Sequence, residues 1–458
     1  MVHTFKMFDK YIALDVNSGC VHDMDKLSYD IINFLNVKNF APTSSEAKFK
    51  LIDDLKYDYD RGEIIDALAD IAELYENGML WAKDDFEFAS NLKENAPVKA
   101  MCLHVSHDCN LRCKYCFADE GKYHTEKREL MTAETGKRAM DYLVEHSGHR
   151  RNLEVDFFGG EPLMNFEVVK EVVEYARELE KKHNKIFRFT VTTNGILLDE
   201  KKLEYINENM SNIVLSIDGR KEVNDHMRYR ADGSGSYDKI VPIFQKVAES
   251  RNQDNYYVRG TFTRENLDFS KDVLHLADLG FKQISIEPVV CGEETDYSLR
   301  EEDLPKIFNE YESLVKEYVK RIKEGNGFNF FHFMIDLEEG PCIIKRLSGC
   351  GCGCEYLAVA PNGDVYPCHQ FVGSEEYKMG SLYDSSGLNK ELRSTFEKCN
   401  VYTKPDCDSC FAKFFCSGGC IANACLINGD MNKPHKLSCE MMKKRVECSL
   451  YAKAALAD

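Results

Sequence analysis

The chain has 458 residues, 43% of them hydrophobic and 30% charged, enough to build two or three cores and too evenly mixed to be disordered. Its net charge of −18 argues against a nucleic-acid backbone as partner, and no apolar run approaches the roughly 20 residues that span a bilayer. Met1–Lys10 carries neither an apolar signal core nor a basic transit pattern, so the 19 cysteines are expected in a reducing cytoplasm, where clustered thiols bind metal or do chemistry rather than form disulfides.

Residues 1–95 read as one unit. "YIALDV" (11–16) alternates like a strand, Asn17-Ser18-Gly19 is turn chemistry, and "CVHDM" returns as a partner strand. Leu27, Ile31 and Leu35 then mark one helix, and Ile64, Ile65, Leu68, Ile71 and Leu74 a second, which stops at Asn77-Gly78. A hairpin with helices predicts a compact, winged-helix-like binding module, and its mixed, acidic charge points away from DNA. Pro97 punctuates a linker.

From 96 to 325 strand-like runs alternate with helical ones. The strands are 99–106, 153–158, 186–193, 212–217, 256–262 and 283–290; between the second and third, "FEVVKEVVEYARELEKKH" keeps its apolar residues on a helical period behind Asn165 as N-cap. Repeated β–helix–β units predict a parallel sheet with right-handed crossovers, and six of them an α/β fold in the form of a partial (β/α)6 TIM-like barrel. Such a barrel does its chemistry at the C-terminal ends of its strands. There the sequence places Cys109–Cys116 after strand one, "GGEP" (Gly159–Pro162) after strand two and "TTNG" (Thr192–Gly195) at the end of strand three. "SIDG" (Ser216–Gly219) ends strand four, and Glu287-Pro288 lies near the end of strand six. The charged stretch 295–325 is expected to be a solvated helical connector.

Cys109, Cys113 and Cys116 stand in a CxxxCxxC row with no fourth cysteine on the loop. A structural zinc site or a fully protein-ligated cubane takes four ligands, and the nearest other thiol, Cys102, lies inside the preceding strand. Three thiolates can hold three irons of a [4Fe–4S] cluster and leave the fourth open. Within 326–458 apolar periodicity gives way to cysteine loops, "CGCGC" at 350–354 and "CDSCFAKFFCSGGC" at 407–420, then Cys439 and a closing helix near 441–456. A zinc ribbon is the alternative for these Cys-x-x-Cys pairs, while scattered cysteines such as Cys20 and Cys291 read as small hydrophobes.

The CxxxCxxC loop with its strand-end motifs resembles the radical S-adenosylmethionine (SAM) superfamily. The resemblance implies that Cys109, Cys113 and Cys116 hold a [4Fe–4S] cluster whose open iron chelates SAM, ahead of reductive cleavage to a 5′-deoxyadenosyl radical. It puts Tyr115 near the adenine, the SAM amino group against Gly159, Gly160 and Glu161, and the ribose or carboxylate against Ser216 and Arg228 of "NDHMR". Thr192 and Asn194 are further contacts. An arginine suits a carboxylate because its guanidinium forks.

The C-terminal pattern is similar to the SPASM domain of peptide-modifying members of that superfamily. Gly363 to Cys368 supplies its GxxxxC, Cys407, Cys410, Cys416 and Cys420 its CxxCxxxxxCxxxC, and Cys439 its last position. By that likeness Cys407, Cys410, Cys416 and Cys439 bind one auxiliary [4Fe–4S] cluster. Cys420 crosses to another, with Cys368 and an upstream cysteine. The family's spacing fits Cys350 or Cys352 and disfavours Cys354. Cys350 is preferred; Cys342 as an added ligand and an open iron for a substrate thiolate both stay open.

The N-terminal unit resembles the precursor-recognition domain of peptide maturases, which captures a leader peptide by adding it as a strand to a sheet edge. The edge of the 11–23 hairpin with the first helix is the candidate receptor. Within such systems "SGCGCGCEYLAVAPNGDVYPCHQFVG" (348–373) most resembles the maturases of clostridial SCIFF peptides, although that family usually has other residues where Cys352 and Cys354 stand. The resemblance implies thioether (sactionine) formation between a Cys sulfur and an acceptor α-carbon. Its implied partners are a cysteine-rich precursor peptide and an electron donor such as ferredoxin or flavodoxin, with no nucleic acid and no membrane. Formylglycine formation or a carbon–carbon link is the alternative within the class, and a passive iron–sulfur electron carrier the alternative outside it.

Overall fold

The computed structural model describes residues 1–457 apart from 92–93, 126, 293, 338–341 and 386. Six strands run parallel in one sheet and neighbour one another in chain order: Ala100–His107, Asn152–Gly159, Ile186–Thr193, Asn212–Ser216, Tyr256–Phe262 and Gln283–Pro288. They are the six expected from the sequence, with ends shifted by a residue or two. Alternation sorts their faces. In the second strand Leu153, Val155 and Phe157 are buried and share a core with Val169, Val172, Val173 and Ala176 of the helix Phe166–His183, while Asp156 and Phe158 point to the other, half-open face. Asn165 does not cap that helix as expected; its amide donates to the carbonyls of Val105 and Met131 (both 2.8 Å), tying the helix start to the first strand.

The sheet does not stop at the barrel. Tyr356–Val359, from the cysteine-rich region, pairs parallel with the first strand, Leu357 opposite Met101, and is followed antiparallel by Asp364–Tyr366 and Gly380–Ser381. Glu355 pins the junction. Its buried carboxylate meets Lys99 (2.8 Å) and Arg150 (3.0 Å), and its carbonyl accepts the N–H groups of Lys99 and Ala100. At the far end Asn329–Phe330 pairs with the sixth strand.

The expected solvated connector is corrected. Leu304–Lys323 is an amphipathic helix that buries Ile307, Tyr311, Leu314 and Val315 and packs on the closing helix Lys436–Ala457. Its charges line one face only, so charge density alone misread it.

The N-terminal unit has a three-stranded antiparallel sheet, Val2–Met7, Lys10–Asp15 and Val21–Met24, and three helices, Lys26–Lys38, Ser45–Leu55 and Arg61–Glu76, around a core of its own that includes Ile31, Leu35, Leu51, Ile64 and Leu68. Val2–Met7 and Ser45–Leu55 were not legible beforehand. The first alternates imperfectly, and the second buries only Ala47 and Leu51, too few to mark a stripe. Val21–Met24 is an edge, paired on one side only among the described residues. The opposite edge leans on the cysteine-rich region, where His3 stacks on Phe411 at 3.5 Å and lies 3.1 Å from Glu447. Among the described residues no helix is long and apolar enough to cross a membrane.

Candidate cluster and cofactor site

Beyond the first strand the chain turns back, and Leu111–Cys113 pairs antiparallel with Arg228–Arg230, Cys113 opposite Arg228. This ribbon carries the "NDHMR" segment under the cysteine row. Arg112 coils the loop by donating to the carbonyls of Cys109 (2.7 Å) and Leu111 (2.8 Å). Cys109, Cys113 and Cys116 are neighbours. Burial pushes the Cys109 thiol up to about 12 and Cys113 up to about 11, and Arg228 beside Cys113 pulls the other way. Cys102 lies elsewhere, inside the first strand near Tyr356 and Cys368, and does not complete the trio.

Tyr115 is anchored from below. Its hydroxyl donates to the carboxylate of Asp218 (2.6 and 2.7 Å to the two oxygens) and accepts from Arg228 Nη1 (2.9 Å). Asp218 also accepts the Thr261 N–H (3.0 Å) and is fully buried; burial holds it above the ordinary carboxylate range, against the pull of Arg228. This carboxylate was missed in "SIDG", where attention fell on Ser216. An acid at the end of an apolar strand was the available signal. Ser216 itself is half-buried opposite Arg259 on the fifth strand.

The glycines of GGEP are dictated by a close approach. A Cβ on Gly159 would stand 2.3 Å from the Ser106 carbonyl oxygen, and one on Gly160 2.3 Å from that of Asp108. The Gly160 and Glu161 N–H groups donate to these same two carbonyls (2.8 and 2.9 Å). Glu161 is fully buried, and its carboxylate accepts from Thr193 Oγ1 (2.7 Å), the Asn194 N–H (2.8 Å) and the Leu163 N–H (3.0 Å). It therefore clamps GGEP to TTNG, and the Gly159 carbonyl accepts from the buried Tyr123 hydroxyl (2.9 Å). Thr193, not Thr192, makes that clamp; Thr192 sits half-buried opposite Val214. Asn194 Nδ2 donates to Asn110 Oδ1 (2.8 Å) and points at Cys109 Sγ, 3.6 Å away.

Two buried donors beside the cysteine row, Arg228 Nε and Asn110 Nδ2, have no hydrogen-bond partner among the described residues. Each such group costs about 1–3 kcal/mol if left unmet. Three thiols with one open corner, flanked by a spare guanidinium N–H and a spare amide N–H, fit a cluster that binds a carboxylate-bearing cofactor.

The remaining cysteines fall into two groups. Cys407, Cys410, Cys416 and Cys439 line one cavity of about 610 Å³; burial pushes Cys407 up to about 11 and Cys439 up to about 12, with neighbouring thiols of the group pushing the same way. Cys368, Cys350 and Cys420 gather at the junction with the first strand, joined by Cys352. Among the described residues no three His, Cys, Asp or Glu side chains close round a single point tightly enough to hold one ion. The cysteine loop and the Cys368 group meet across a ring contact: Phe117, next to Cys116, packs edge-on against His369, next to Cys368, with centroids 5.9 Å apart.

Two family models match the chain, the radical SAM superfamily over residues 103–288 and the SPASM iron–sulfur cluster-binding domain over 350–411. The radical SAM cyclopropyl synthase TigE of Paramaledivibacter caminithermalis is 22% identical across 96% of this chain and 93% of its own. The cysteine-type anaerobic sulfatase-maturating enzyme of Clostridium perfringens (strain 13) is 27% identical across 71% and 89%. The structure of native anSMEcpe with bound AdoMet and Kp18Cys peptide shares the fold, with a TM-score of 0.64 at 22% identity over 79% of this chain and 98% of that one.

Proposed function

This chain belongs to the radical SAM superfamily and carries a SPASM domain hydrogen-bonded to the first strand of its barrel, and on that premise we propose that it is a peptide maturase forming Cys-to-α-carbon thioether (sactionine) bonds in a ribosomally made, cysteine-rich precursor. The observation that carries the reading is the contact that brings the two thiol groups together, Phe117 beside Cys116 against His369 beside Cys368. A thioether cross-link removes one hydrogen from carbon and one from sulfur and joins the two atoms, a two-electron oxidation. Its enzyme has to serve a C–H and an S–H together, and two adjoining cluster sites supply that. When bound, a [4Fe–4S] cluster on Cys109, Cys113 and Cys116 with SAM supplies the radical chemistry that takes a hydrogen atom from an unactivated C–H, and two auxiliary [4Fe–4S] clusters supply an acceptor for the second electron.

The protein's own part is placement. Arg228 Nε and Asn110 Nδ2 receive the cofactor carboxylate, the backbone of Gly159 and Gly160 its amino group, and Tyr115 its adenine, with Ser216, Thr192 and Asn194 at the rim. Holding the acceptor C–H nearest the radical does the selective work. Residues 1–95 bind the leader, which adds as a strand to the edge Val21–Met24; residues 96–325 form the radical SAM barrel and 326–458 the SPASM region. A ferredoxin or flavodoxin delivers the starting electron. A carbon–carbon link is one competing reading and sulfatase-type formylglycine formation the other. The latter is disfavoured because that target needs no leader, and because the TigE match, spanning 96% of the chain, takes in most of residues 1–95.

The test is anaerobic reconstitution with iron and sulfide, then SAM, dithionite and a synthetic precursor peptide of about forty-five residues carrying six cysteines. The expected products are 5′-deoxyadenosine and a peptide lighter by two hydrogens per cross-link, with a sulfur-to-α-carbon bond in its fragmentation spectrum. Peptide that has lost sulfur would establish the formylglycine reaction instead. Absence of deoxyadenosine would leave a passive electron carrier.

A further inference from the structure

The first auxiliary site holds one more thiol than its SPASM pattern uses. Gly349, Gly351 and Gly353 all take left-handed backbone angles (φ +69°, +78° and +73°), which side-chain-bearing residues rarely adopt, so the intervening cysteines sit on a tight coil. The coil is fastened at both ends. The Gly353 N–H donates to the Pro367 carbonyl (2.9 Å), next to Cys368, and the Gly351 carbonyl accepts from Cys354, Glu355 and Tyr356. On its other side Gly349 abuts Ser417, so the coil rests on the turn that leads into Cys420. The result is that Cys352 lies beside Cys368, with Cys350 and Cys420 as the next nearest thiols.

Exposure orders the four. Cys350 and Cys420 are exposed, whereas Cys352 and Cys368 are buried, with 2% and 7% of their surface accessible. A centre held between them has its outer corners on Cys350 and Cys420 and its inner corners on Cys368 and Cys352. Inward is the direction of the first barrel strand, where Tyr356, bridged to Cys352, opposite Ala100, starts the shared ladder.

We propose that Cys352 is the fourth protein ligand of the first auxiliary cluster, closing with Cys350, Cys368 and Cys420 the corner that faces the barrel. A substrate thiolate approaching from the barrel side then meets a protein thiolate rather than an open iron. The inference rests on the reading of this region as an iron–sulfur site and not on which bond the enzyme makes.

The test uses the full chain carrying Cys109→Ala, Cys113→Ala and Cys116→Ala, so that only the auxiliary clusters remain, reconstituted and reduced. Iron content and the electron paramagnetic resonance spectrum are recorded with and without cyanide, which binds an open iron. The expected background spectrum does not respond to cyanide. Adding Cys352→Ala should shift one of the two auxiliary signals and make it cyanide-responsive. Cys352→Ser should shift the same signal through an oxygen ligand while retaining its iron, which keeps the question decidable if the alanine variant loses the cluster. Cys354→Ala should leave the spectrum as it was. A cyanide-responsive background, or a Cys352→Ser spectrum identical to the background, overturns the proposal. Zinc in place of iron would overturn the cluster reading itself, and a failure of thioether formation would show in the peptide mass without touching these spectra.

Discussion

The two cysteine-bearing regions are built on different principles. The CxxxCxxC loop is set at the ends of long parallel strands, and its surroundings are complete in protein terms: Glu161 clamps two loops, and Asp218 and Arg228 hold Tyr115. The cysteine-rich region has little regular structure of its own. Apart from Cys439 on the long closing helix, its grouped thiols ride on or beside helices of four to eight residues, Pro405–Asp408, Lys413–Cys416 and Ile421–Asn428, and on glycine turns. Helices that short do not persist in water without tertiary support. The contrast teaches that the barrel site is organised by the fold, whereas the auxiliary sites help to organise it, as structural metal centres do.

The strongest way to break the comparison is at the ligands. Cys113→Ala should abolish 5′-deoxyadenosine formation, while Cys410→Ala should spare it and end peptide modification; thioether product from Cys410→Ala would refute an auxiliary role for that cysteine. Next in size is metal removal. Chelation of the holoenzyme should expose residues 350–440 to protease while the barrel strands stay protected, and simultaneous loss of both would erase the distinction.

Within the barrel, Glu161→Gln replaces a charged acceptor of three hydrogen bonds by an amide that sets a donor against donors. It should cost about 3 kcal/mol in denaturant unfolding, with SAM affinity falling alongside. The smallest effect is a gain. Burial raises the Asp156 carboxyl to about 6, so the folded state holds that proton more tightly than the unfolded chain. Its contribution to stability is therefore lost as pH rises from about 4 through about 6. Asp156→Asn should be more stable than the parent by about 2–3 kcal/mol at pH 7.5, the gap narrowing at pH 5. An equal gap at both values would mean that Asp156 titrates normally.

Much of this architecture is legible in the chain. The six strands announce themselves because each is bounded by turn residues and alternates over buried positions, and strand-end motifs follow from the barrel rule. What is illegible involves partners far apart in sequence. No local pattern says that Tyr356–Val359 joins the first strand, or that Arg228–Arg230 pairs with the cysteine loop. The same holds for side chains that serve by being buried. Ser216 and Thr192 looked available because they are small and polar at strand ends, yet Asp218 and Thr193, one or two residues on, form the network. Alternation fixes which residues share a face; it does not say which face looks into the site.

The ladder between Tyr356–Val359 and the first barrel strand also sets a mechanical constraint. Parallel pairing from Ala100 to Leu103 carries one ladder from the barrel into the cysteine-rich region, so the first barrel strand braces both thiol groups against a change in their spacing. Under the proposed reaction the peptide itself has to supply the travel, and the fixed gap acts as a ruler. Donor and acceptor residues whose loop can bridge it are joined, and those too close together along the peptide are passed over.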